Sequence, residues 1–76
     1  MGRVRRLTAA EVETILKRYG FELVSQKGSH RKWRHPETGL TVVVPMHKGK
    51  TLPVGTLCAI MRGAEIPDDE WQVVVK

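Results

Sequence analysis

The sequence predicts an α+β domain in the order αβββα, a three-stranded antiparallel sheet with two helices packed on one face. Two observations predict it. Apolar residues recur at helical spacing over 9–19, alternate over 21–44 and return to helical spacing over 53–64. Gly20, Gly28, Gly39, Pro45 and Pro53 stand where one pattern gives way to the next. Seventy-six residues leave room for one core only, which excludes a multi-domain enzyme.

The first helix, 9–19, opens at Thr8-Ala9-Ala10-Glu11, a capping-box pattern in which the Thr hydroxyl and the Glu carboxylate each take one free backbone N–H. Leu7 and Val12 flank the cap as a hydrophobic staple. Val12, Ile15, Leu16 and Tyr19 form one apolar face, and Gly20 ends the helix because it takes the left-handed conformation at least cost. Alternation then predicts strands over 21–26 and 29–35 around a Lys27-Gly28 turn. A second turn, Pro36-Glu37-Thr38-Gly39, leads to the β-branched strand 40–44, which Pro45 stops. After a polar loop over 46–52, Pro53 suits the first position of a second helix with Leu57, Ile60, Met61 and Ala64 on one face. Gly63 weakens its last turn. The expected core is Val12, Ile15, Leu16, Phe21, Trp33, Val42, Val44, Leu57, Ile60 and Met61. Residues 1–6 read as a flexible basic tail, 7–66 as the domain, and 67–76 as an acidic appendix, either a short helix or extended.

Thirteen Lys and Arg against eight Asp and Glu give a net charge of +5, which favours nucleic acid, an anionic membrane or an acidic protein as partner. Composition removes several other classes. Cys58 stands alone, so no internal disulfide or multi-cysteine metal site forms, and the chain reads as cytoplasmic. No apolar run approaches the ~20 residues of a membrane span, and Arg6 occupies the position where a myristoylation signal needs Ser or Thr.

Lys27, Arg31, Lys32, Arg34, Lys48 and Lys50 cluster between 27 and 50 with Glu37 the only acid among them. The charge is polarised. Strand alternation turns Trp33 to the helices and puts His30, Lys32 and Arg34 on the opposite face, where a phosphate backbone can lie. A solvated sheet face carries charges too, and the stripe by itself leaves that reading open. His30 tips the balance. It follows Gly28-Ser29 at the start of a strand, and surrounding cations favour the neutral, base-competent form of an imidazole, which makes it the candidate general base. His35, before Pro36, reads as a turn residue, and His47, beside Lys48, is left open. No zinc-ligand spacing links the histidines, so no metal or other cofactor is expected.

Gly20-Phe21, Gln26-Lys27-Gly28-Ser29-His30, Arg34-His35-Pro36, Val42-Val43-Val44-Pro45, His47 with Gly49-Lys50, and Pro53-Val54-Gly55-Thr56-Leu57 follow one another in a telling order. Across 7–66 the chain resembles the HicA-type (YcfA-like) mRNA interferase toxins. The resemblance implies a fold like the double-stranded RNA-binding domain and a toxin of a type II toxin-antitoxin system that cleaves mRNA until a HicB-like antitoxin binds it. His30 falls on the family's catalytic histidine. His47 falls on a position often histidine, and is a second catalytic candidate. Gly63 and the ending Trp71-Gln72-Val73-Val74-Val75 depart from the family's pattern.

The mechanism expected from these residues is metal-independent: His30 helps deprotonate a ribose 2′-hydroxyl, which attacks the adjacent phosphate, while Arg31, Lys32 or Lys27 stabilises the charge that develops. Lys27, Gly28, Ser29, Arg31, Lys32, Arg34, Lys48 and Lys50 are the expected RNA contacts. Two other readings use the same face: a non-catalytic RNA-binding module, and a protein-interaction domain that receives an acidic partner.

Overall fold

The computed structural model describes residues 6–47 and 49–73, the side chains of Asp68, Gln72 and Val73 excepted. The basic tail before Arg6, Lys48 and the chain end from Val74 therefore lie outside the described residues. Helix α1 (Ala9–Arg18) starts at the capping box, where Glu11 N–H donates to the Thr8 hydroxyl at 3.2 Å and Thr8 N–H donates to Glu11 Oε1 at 2.8 Å. It closes on Gly20 at φ +91°. Phe21 N–H reaches back to the Leu16 carbonyl and Gly20 N–H to that of Lys17, the paired bonds of a Schellman stop.

Strands β1 (Glu22–Lys27), β2 (His30–Arg34) and β3 (Thr41–Pro45) form an antiparallel sheet in the order β1-β2-β3. The first turn lies one residue later than Lys27-Gly28. Lys27 pairs with His30, and Gly28, at φ +59°, leads a two-residue loop with Ser29, as glycine does when the first loop position needs positive φ. The second turn is organised by His35, whose Nδ1 accepts the N–H groups of Glu37 (3.2 Å) and Thr38 (3.3 Å) while its ring meets the Phe21 ring edge-on at 5.3 Å. That capping role ends β2 at Arg34, one residue short of the strand read from alternation.

Helix α2 (Val54–Ala64) begins one residue after Pro53, which is its N-cap rather than its first helical residue. It buries Leu57, Ile60, Met61 and Ala64, and ends on Glu65, which takes a left-handed φ of +55° without being glycine. Gly63 has a use that helix propensity hides. A Cβ there would stand 3.0 Å from Val42 Cγ1, so the glycine lets α2 sit close on β3.

All ten residues expected in the core are buried, on the sheet face that α1 and α2 cover. Leu7, Leu52, Ile66 and Trp71 join them. Trp71 belongs to a short helix, α3 (Asp68–Val73), and is 1% exposed with its indole N–H donating to the Ile66 carbonyl at 3.2 Å. A buried indole of ~150–250 Å² is worth up to roughly 4–6 kcal/mol at ~25 cal/mol per Å², which holds this acidic segment against the domain. Val73 closes α3 and is helical, not extended. Tyr19 faces the same helix: partial desolvation, then the Glu70 carboxylate accepting from its hydroxyl, push the phenol above its ordinary value.

Candidate active site

Because β2 is the central strand, its outward side chains set the open face of the sheet. Cross-strand partners share a face, so His30 lies between Lys27 and Pro45, Lys32 between Ser25 and Val43, and Arg34 between Glu22 and Thr41. All but half-buried Pro45 are exposed. Lys27, His30, Lys32 and Arg34 thus form one basic tract, with Glu22 its only acid among these residues and Val43 an exposed apolar contact near the middle. Open space lies over Gly28 beside His30. A polyanion can therefore approach the backbone at the His30 end of the hairpin.

Arg31 does not share this face. Its side chain points to the helices, where Nε lies 2.8 Å from Glu13 Oε2, and the same oxygen accepts the indole N–H of Trp33 at 2.8 Å. The Arg31 contact is ionic rather than an aligned hydrogen bond, because Nε is sealed from solvent with no hydrogen-bond partner. Lys17 Nζ and Arg31 Cζ lie 5.8 and 6.0 Å from the Trp33 ring centre. Glu13 is the structural residue that the charge pattern concealed. Its signal is positional: Ala9, Val12, Glu13 and Leu16 share one helical face, and all are buried. A carboxylate on that stripe ties α1 to β2 next to His30.

His47 reaches the same end of the sheet by another route. Met46 N–H bonds to the Ser29 carbonyl at 2.6 Å, one residue beyond the Pro45–His30 pair. The loop then turns, with Lys50 N–H on the His47 carbonyl at 3.1 Å and Gly49 at φ +75°, and is tied to the start of α1 by Leu52 N–H on the Leu7 carbonyl at 2.7 Å. His47 and Lys50 are exposed; Lys48, between them, lies outside the described residues. Between the loop and the first turn of α1 is a cleft of about 540 Å³, lined by Thr8, Ala9, Ala10, Met46, His47 and Gly49. Cys58 is a half-buried free thiol within α2. Among the described residues no three His, Cys, Asp or Glu side chains gather as a metal-ligand set.

The element order, the sheet topology and the exposed histidine at the head of β2 meet one more observation. The family model described as the HicA toxin of bacterial toxin-antitoxin systems matches residues 9–66, from the start of α1 to the core residue Ile66. The chain belongs to the HicA toxin family. No curated protein matches it. As a HicA toxin it is the toxin of a toxin-antitoxin pair, which implies an antitoxin partner. The match stops before α3, so the helix that carries Trp71 lies beyond the matched segment of this HicA chain. Among the described residues no helix is long and apolar enough to cross a membrane.

Proposed function

We propose that this HicA toxin is an endoribonuclease that cleaves mRNA in the cytoplasm, with His30 as its base. The observation that carries the reading is the placement of His30: an exposed imidazole on the open face, paired with Lys27 and in line with Lys32 and Arg34. Phosphate binding needs the cations and does not need the imidazole. His30 takes the proton of a ribose 2′-hydroxyl as that oxygen bonds to the adjacent phosphorus. Lys27 and Lys32 carry the charge that builds on the phosphorane, a task from which Arg31 is withdrawn by Glu13. The bond to the 5′ oxygen then breaks, leaving a 2′,3′-cyclic phosphate and a 5′-hydroxyl. The departing oxygen needs a proton, and His47 is the candidate donor.

Proton transfer supplies about 10²–10⁴-fold in rate, so positioning must supply much of the rest. Arg34, Lys50 and Lys48 extend the electrostatic contact to the backbone, and Gly28-Ser29 let it come close. A HicB-like antitoxin inhibits by covering this face, since a nuclease harmful to its own cell must be held inactive. Gain of amide protection over 27–34 and in the His47 loop on adding antitoxin is the expected result.

The decisive assay uses a labelled transcript with EDTA present. His30→Ala is expected to abolish cleavage and growth arrest while folding and RNA affinity stay nearly unchanged, because counterion release is carried by the several lysine and arginine side chains. Lys27→Ala with Lys32→Ala is expected to weaken binding and flatten the salt slope by up to ~1.4 on single strands. Undiminished cleavage by His30→Ala removes His30 from the chemistry, and loss of wild-type cleavage in EDTA overturns the metal-free route. The second reading, an RNA-binding module without chemistry, is favoured by the same basic tract; it predicts salt-dependent binding and no cleavage by the wild type.

A further inference from the structure

We propose that RNA crosses the open face of the sheet with its phosphates over β1 and β2 and its bases over β3, and that Val43 is the residue on which a base beside the reacting phosphate rests. The inference rests on the ribonuclease reading above and adds to it the place where sequence preference arises. The register divides the face into two flanks about the central strand. On one side His30, Lys32 and Arg34 stand opposite Pro45, Val43 and Thr41 of β3, and on the other side β1 contributes Lys27 at the His30 end and Glu22 at the Arg34 end. Every lysine and arginine among these outward residues belongs to β1 or β2. The β3 flank carries no charge of either sign, and Val43 at its middle is 44% exposed.

Charge decides which part of a nucleotide takes which flank. A phosphate over β3 would leave the cations and give up its water to valine and proline, which is unfavourable for an unpaired charge. A neutral base gains by covering the same apolar surface. The backbone of β3 favours a base as well. Met46 N–H bonds to the Ser29 carbonyl and His35 N–H to the Leu40 carbonyl, and antiparallel alternation from these bonds turns the N–H and C=O groups of Thr41 and Val43 off the free edge, which no other described strand covers. A base edge offers both donors and acceptors to such groups, whereas a phosphate only accepts and would face the carbonyls unpaired. Spacing completes the argument. Two residues of a strand and one nucleotide of an extended chain each span about six backbone bonds, so consecutive phosphates can meet His30, Lys32 and Arg34 in turn at intervals of about 6.8 Å. With the reacting phosphate at His30, the base one step along lies on Val43.

The test compares a short single-stranded oligoribonucleotide of mixed sequence with an abasic ribose-phosphate oligomer of equal length, both on the non-cleaving His30→Ala chain. Binding is read by anisotropy across salt concentrations, and the Val43 methyl groups and the Lys32 side chain by NMR. Both oligomers are expected to shift the Lys32 signals and to share one salt slope, because both carry the phosphates. The RNA alone should move the Val43 methyl signals upfield, since a base has a ring current and ribose has none. Val43→Thr keeps a β-branched side chain and exchanges one methyl for a hydroxyl; it is expected to weaken RNA binding about fourfold and to leave the abasic oligomer and the salt slope unchanged. Equal binding of both oligomers with unmoved Val43 signals overturns the orientation and leaves the RNA reading standing, as does a Val43→Thr chain that binds RNA as tightly as its parent. Failure of the parent to bind either oligomer overturns both readings together. The methyl signals of the parent decide the matter even if Val43→Thr fails to fold.

Discussion

Replacing Glu13 with alanine removes one carboxylate, leaving the Trp33 indole without its acceptor and Arg31 without its counter-ion. The Trp33 indole N–H, in a residue only 2% exposed, loses a partner at 2.8 Å and finds no water to replace it, which costs about 1–3 kcal/mol. Arg31 is different. With 26% of its side chain exposed it turns toward solvent, so its ion pair is worth no more than about 1 kcal/mol. Together these predict a loss of about 2–3 kcal/mol from a domain whose total stability at this length is about 4–11 kcal/mol. At ~4–8 °C per kcal/mol for a chain of this size, the midpoint should fall by about 10–25 °C. Urea unfolding followed by tryptophan fluorescence, with thermal unfolding by circular dichroism, measures both quantities. Glu13→Gln keeps an amide oxygen for the indole and should cost no more than about 1 kcal/mol, because only the weaker ionic part is lost. A Glu13→Ala change within about 0.5 kcal/mol of wild type refutes the bridge. A Gln variant as unstable as the Ala variant refutes the assignment of most of the energy to the indole bond.

Three further outcomes follow from the packing. Gly63→Ala gains ~1 kcal/mol of helix propensity but sets a methyl 3.0 Å from Val42 Cγ1 in a buried contact; overpacking at ~1–3 kcal/mol should win, for a net loss of about 1 kcal/mol. A rise in the denaturation midpoint would mean that Val42 has room to yield. Glu65→Gly relieves the left-handed φ of +55° and should stabilise by about 1 kcal/mol, read as a higher thermal midpoint; a fall would mean that the side chain contributes more than its backbone strain costs. Tyr19 has its phenol pKa raised in the folded chain, by desolvation and then by Glu70, so its contribution is complete below the unfolded value and is lost as pH rises through the folded one. Unfolding at pH 9 and pH 11 should therefore show a larger alkaline loss in wild type than in Tyr19→Phe, and equal losses would exclude Tyr19 as the cause.

What the order of residues determined by itself is the set of features that local geometry controls. The Thr8–Glu11 box, the Gly20 stop, the alternation that puts Trp33 inward and His30 outward, and the apolar face of α2 each need only the dihedral preferences and side-chain spacing of a few neighbouring residues. These are enough for the αβββα order, for all ten expected core positions and for the basic tract around His30. The end of β2 moved by one residue because a side chain decided it: the Nδ1 of His35 captures the N–H groups of Glu37 and Thr38. Other features depend on partners far apart along the chain. Glu13 reads as one more surface acid until Trp33, twenty residues away, brings it an indole N–H to bind. Arg31 reads as one more RNA contact until the same carboxylate holds it on the helix side. Gly63 reads as a weak point until β3 approaches, and Trp71 as part of an appendix until the core closes over it. Each of these outcomes depends on which surfaces meet, and a buried polar group or a close backbone approach acquires its energy only from the atoms that the tertiary fold brings against it.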